Sequence, residues 1–122
     1  MFRVQDANGR GPWQPGFSAQ WVEDRTDDEY EALSPWPLNV MMALREKAGL
    51  RHMGYACESL DQLRRWFRPG EYKTLLRYGY RAVRIEVDAV IARSDHQCAF
   101  VRSKPLRLGV SEFDLYQEND ES

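Results

Sequence analysis

Ser59 to Asp88 reads SLDQLRRWFRPGEYKTLLRYGYRAVRIEVD, and its apolar period changes from about 3.6 residues to 2 along its length. Ser59-Leu60-Asp61-Gln62 has the Ser-x-x-Gln form of a capping box, in which the first hydroxyl and the fourth side chain satisfy free amides of a helix start. Leu60, Leu63, Trp66 and Phe67 then recur at helical spacing, with Arg64, Arg65 and Arg68 on the other face. Pro69-Gly70 breaks this helix, and Glu71 to Tyr78 makes a further turn or two before Gly79. From Tyr80 onward Val83, Ile85 and Val87 alternate with Arg84, Glu86 and Asp88, which predicts a half-buried strand.

Upstream of this stretch, Phe2 to Gln5 reads as a short strand stopped by Asp6, Asn8 and Gly9. Gly9-Arg10-Gly11-Pro12 and Pro15-Gly16 predict irregular backbone bearing Trp13 and Trp21. A long loop with large aromatics folds back on its domain or covers a pocket, because exposed indoles are costly. Asp24 to Glu31 is acidic and expected to be solvated, and Ser34-Pro35-Trp36-Pro37 is a second breaker cluster. Leu38 to Ala48 predicts a helix with an apolar stripe of Leu38, Met41, Met42 and Leu44, capped by Gly49. Met53 to Cys57 reads as a buried strand.

Downstream, Val90-Ile91-Ala92 is short and apolar, Gln97 to Val101 reads as a strand, and Leu106 to Val110 as a last one. Helices in the middle and strands gathered late predict an α+β fold. The expectation is a single domain over residues 1–117, with a small, twisted, mixed or antiparallel sheet flanked by two or three helices. Residues 118–122 form a frayed acidic tail.

Composition narrows the classes. With 122 residues, 43% apolar, 12% aromatic and 30% charged, the chain has the make-up of one folded domain. No apolar run approaches the roughly 18 residues of a membrane-spanning helix, and Arg3, Asp6 and Arg10 interrupt any secretory pattern. Cys57 and Cys98, without further cysteines, read as free buried thiols in a reducing cytoplasm. Neither His52 nor His96 has a partner at metal-ligand spacing, so no metal site is expected. Walker and dinucleotide-binding glycine fingerprints are absent.

Charge is unevenly spread. Residues 1–40 carry three arginines against seven acids, residues 41–107 fourteen bases against seven acids, and residues 108–122 five acids and no base. A pI of about 5.7 makes nucleic acid an unexpected partner, and internal balance accounts for most of the asymmetry. An acidic or host protein remains a possible partner.

Three features occur in a telling order: Arg3 on the first strand, Tyr55-Ala56-Cys57-Glu58-Ser59 running from strand into capped helix, and Gln97 opening a later strand after Ser94-Asp95-His96. In this order the chain resembles the ADP-ribosyltransferase superfamily. The resemblance implies an ADP-ribosyltransferase-like fold, NAD or a related nucleotide as cofactor, and transferase or NAD glycohydrolase activity. It places Arg3 on the ribose and phosphates, Cys57 and Ser59 at the nicotinamide side, and Gln97 against the oxocarbenium-like transition state. Arg10 and Gly11 would join Arg3 on the pyrophosphate, and Trp13 and Tyr55 would stack on the rings. Cys57 stands where the family has a hydroxyl, and Gln97 offers a dipole where it has a carboxylate, which implies weakened catalysis. The second reading is a non-enzymatic, protein-binding accessory or inhibitor of phage or mobile-element type. Here the fold is a scaffold, and tryptophan and arginine form the hot spots.

Overall fold

The computed structural model describes residues 1–13, 17, 20–23 and 36–116. Its elements, in chain order, are β1 (Phe2–Gln5), α1 (Leu38–Ala48), β2 (His52–Ala56), α2 (Leu60–Trp66), α3 (Pro69–Arg77), β3 (Arg81–Ile85), β4 (Ala89–Arg93), β5 (Cys98–Arg102) and β6 (Val110–Phe113). The α+β class stands. The expected single sheet does not: the strands form two three-stranded antiparallel sheets, ordered β1-β3-β6 and β2-β5-β4.

The two sheets are stitched at one corner. Phe2 and Cys57 exchange backbone hydrogen bonds of 2.8 and 2.7 Å across it, while the Ile85 amide, donating to the Met1 carbonyl at 2.9 Å, extends the β1–β3 ladder to the same corner. Splitting follows from the chain path. β1 pairs with β3 in the register Arg3↔Val83, and β2 pairs with β5 in the register Ala56↔Cys98. Among the described residues the two ladders meet at a single bridge, where β1 begins and β2 ends.

Local chemistry explains the element boundaries. Ser59 and Gln62 form the reciprocal capping box at the start of α2, with Ser59 Oγ accepting from the Gln62 amide at 3.2 Å. Pro69 ends one helix and serves as the first residue of the next, where its missing N–H has no role. Gly49 caps α1 at φ 63°. The expected last strand, Leu106 to Val110, is displaced: residues 106–109 are a turn, and Gly109 at φ 63° turns the chain into β6 at Val110.

One core lies between the β1-β3-β6 sheet and helices α2 and α3, with Val4, Ala82, Leu63, Trp66, Tyr72 and Leu75 at its centre. Burying a leucine such as Leu63 or Leu75 stabilises by roughly 2 kcal/mol. A smaller core of Ile85, Ala56 and Phe100, with Leu106 and Val110, lies between the two sheets. β3 is more deeply buried than its alternation implied, since Ala82 faces the helices while Val83 and Ile85 face away. Helix α1 departs further from expectation. Only Leu44 and Ala48 are buried, and Leu38 and Met42 of the expected apolar stripe are exposed at 72% and 62%. Among the described residues, no helix is long and apolar enough to cross a membrane. The acidic stretch 24–31 and the tail 118–122 lie outside the described residues.

Candidate functional site

A cleft of about 920 Å³ opens between β1 with its following loop, β2, and the flanks of α1 and α2. Arg3, Arg10, Gly11, Trp13, Tyr55, Cys57 and Gln97, picked out from sequence at widely separated positions, all line it. Ser59 does not. Its hydroxyl is exposed and engaged in the α2 cap.

Arg3 forms part of the floor. Its Nη1 donates to the Tyr55 carbonyl and its Nη2 to the Gly9 carbonyl, each at 3.1 Å, while Nε is buried without a partner. The guanidinium lies over the Phe100 ring at 5.9 Å. Desolvation lowers its pKa to about 10, against the opposing pull of Asp6. The side chain is thus a buried cation held by carbonyl dipoles, and two of its nitrogens are committed to the backbone.

The thiols are poorly suited to nucleophilic work. Burial, followed by the neighbouring Cys98, pushes the Cys57 thiol up to about 12, and Cys57 Sγ donates to the His96 carbonyl at 3.6 Å. A thiol that stays protonated at neutral pH is a weak nucleophile. Cys98 donates to Glu58 Oε1 at 3.0 Å, on which Arg93 Nε also rests at 2.5 Å. Burial first, then the Glu58 hydrogen bond, raises Cys98 to about 11. The two thiols lie on opposite faces of their sheet, since Ala56 is the register partner of Cys98.

Gln97 is buried at the far end, its backbone tied to Ser94 through amide and carbonyl. Its side-chain amide makes no hydrogen bond among the described residues. Trp13 packs edge-on to Trp21 at 4.7 Å and to Trp66 at 6.1 Å, which makes one wall aromatic. Trp21 is itself buried and donates its indole N–H to the Pro12 carbonyl. Trp21 is therefore packed into the domain, and Trp13 forms one side of the cleft.

Sequence reasoning missed Gly54, Leu63, Trp66, Met41 and Arg45 as lining residues. Gly54 carried a signal, because an isolated glycine inside a strand marks close approach. Arg45 carried none, since a charge on a helix face is ordinary and its direction depends on how α1 docks.

A family model described as bacteriophage T4 Y00F protein matches residues 1–114. The chain belongs to that phage protein family. The match overturns the ADP-ribosyltransferase resemblance, which rested on the order of three short motifs, whereas the family match spans nearly the whole chain. NAD was implied by that resemblance, and no feature of the cleft singles it out. Comparisons with curated proteins and with solved structures return no match.

Proposed function

We propose that this member of the phage family is a non-enzymatic accessory factor that binds a host protein through the cleft. The observation that carries this reading is the cleft's make-up. It pairs an aromatic and aliphatic wall, formed by Trp13, Met41, Leu63 and Trp66, with arginines at its mouth, and tryptophan and arginine dominate binding hot spots. The groups brought forward for chemistry support the same reading. Ser59 caps a helix and Cys57 is a protonated thiol bonded to a carbonyl. Membership of a phage family supports a host-directed role.

The test is affinity capture from bacterial host lysate with the full chain and with Met41→Asp/Arg45→Glu, followed by binding measurements on the purified captured protein. Arg45 is exposed and Met41 is half-buried at the cleft, and neither belongs to the packed core, so the variant is compared with the parent chain after its melting temperature has been shown to match. A partner held by the parent chain and lost by the variant supports the reading. A partner held equally by both removes the cleft from the interface and overturns it.

A further inference from the structure

The charged side chains of the cleft carry one sign. Arg10 and Arg45 are exposed at its mouth and Arg3 lies deeper, while no Asp or Glu is among the described residues that line it. Among those residues neither the Arg10 nor the Arg45 guanidinium makes a hydrogen bond or an ion pair. Guanidinium groups beside a low-dielectric wall focus a positive field, and their planar fork fits a carboxylate in bidentate fashion.

Helix α1 extends this surface beyond the cleft. Leu38, Met41, Met42 and Arg45 stand at spacings of three and four, so they form one stripe on one helical face. Met41 and Arg45 line the cleft, and Leu38 and Met42 continue the same stripe into solvent. An apolar stripe at helical spacing ordinarily faces a core. Here α1 buries Leu44 and Ala48 instead, leaving Leu38 and Met42 uncovered and contiguous with the opening.

Resting on the reading of the cleft as a partner site, we propose that its occupant is an acidic, apolar-anchored segment of the partner protein. A bulky apolar side chain enters between Trp13, Met41 and Trp66, a carboxylate beside it meets Arg10 and Arg45, and flanking apolar residues lie along Leu38 and Met42. A small organic acid would use the cleft and leave the α1 stripe bare. A polynucleotide would satisfy the arginines and leave the apolar wall wet. A segment of polypeptide matches all three.

The test uses the full chain and two naphthalene probes of similar shape, anionic 8-anilinonaphthalene-1-sulfonate and neutral N-phenyl-1-naphthylamine. Both are expected to bind. Arg10→Gln/Arg45→Gln should weaken the anionic probe by about tenfold and the neutral one by less than about twofold, the loss of a charge-assisted contact. Equal weakening of the two probes overturns the anion requirement and leaves the apolar cleft standing. Binding of neither probe overturns the cleft reading itself. For the polypeptide occupant, Leu38→Ser/Met42→Ser is compared with the parent chain at matched melting temperature in the capture assay. Capture should fall by about fivefold or more. Capture unchanged by this pair overturns a segment lying along α1 and favours a small acid.

Discussion

A Cβ on Gly54 would fall inside the space held by Nη1 of Arg3, and it would stand 2.9 Å from Cζ of the Phe100 ring. The missing side chain of one strand is therefore what admits the buried cation of another. β1 supplies the guanidinium and β2 the gap, and the Tyr55 carbonyl beside Gly54 accepts one of its hydrogen bonds.

Gly54→Ala should accordingly displace Arg3 and lower stability by about 1–3 kcal/mol, the usual cost of overpacking a filled site. Gly11→Ala is the contrast. Its added Cβ would lie at an ordinary 3.6 Å from Nη2 of Arg3 and meet no backbone closer than 3.9 Å, so stability should change by less than about 0.5 kcal/mol. Urea unfolding of the two variants beside the parent chain measures the difference.

Arg102 is a second buried guanidinium, and it holds the turn that leads into β6. It donates to the carbonyls of Glu86, Lys104, Pro105 and Leu108. Arg102→Met keeps much of the side-chain volume and strands those acceptors, so it should cost about 2–4 kcal/mol. Native-state hydrogen exchange should show faster exchange at Leu108, whose amide closes the turn onto the Pro105 carbonyl. Unchanged exchange there would mean that the turn holds without Arg102.

The thiols impose a pH dependence of definite sign. Cys57 and Cys98 titrate near 12 and 11 in the folded chain against an ordinary 9.0, so the unfolded chain releases these protons first. Their stabilising contribution is complete below pH 9 and is lost as pH rises through the folded values. Between pH 7.5 and 10 the loss should be about 1 kcal/mol per thiol, and Arg3, at about 10 in the folded chain, begins to titrate at the top of this range in parent and variant alike. Urea midpoints of the parent chain should therefore fall more steeply over this range than those of Cys57→Ala/Cys98→Ala.

Glu58 should govern the reactivity of Cys98. The carboxylate accepts a hydrogen bond from the thiol and raises its pKa, while Arg93 lowers it. Glu58→Ala leaves Arg93 acting alone, so Cys98 should alkylate faster at pH 8 than in the parent chain, as peptide mapping after iodoacetamide would show. A rate unchanged by the substitution would assign the protection of Cys98 to burial alone.

The cap of α2 offers a calibrated control. Ser59→Ala should cost about 1 kcal/mol by removing the acceptor for the Gln62 amide. It should leave capture of the partner intact, because Ser59 lies outside the cleft.

Much of the secondary structure was legible because its causes are local. The box at Ser59 and Gln62, the Pro69 start of α3, the Gly49 stop of α1 and the alternation after Tyr80 each act within a few residues. The Leu106 to Val110 strand was misplaced because its apolar residues serve a turn. That turn is held by Arg102, a residue from another strand.

Sequence by itself determined the α+β class and most element boundaries, since helix caps, glycine conformations and hydrophobic periods are properties of short segments. Tertiary structure alone decided that the strands divide into two sheets, that α1 leaves Leu38 and Met42 of its apolar stripe uncovered, and that Arg3 is bound to the Tyr55 and Gly9 carbonyls. Strand pairing, helix docking and the fate of a buried charge depend on groups distant in the chain, whose competing contacts and desolvation are settled only when the whole molecule packs.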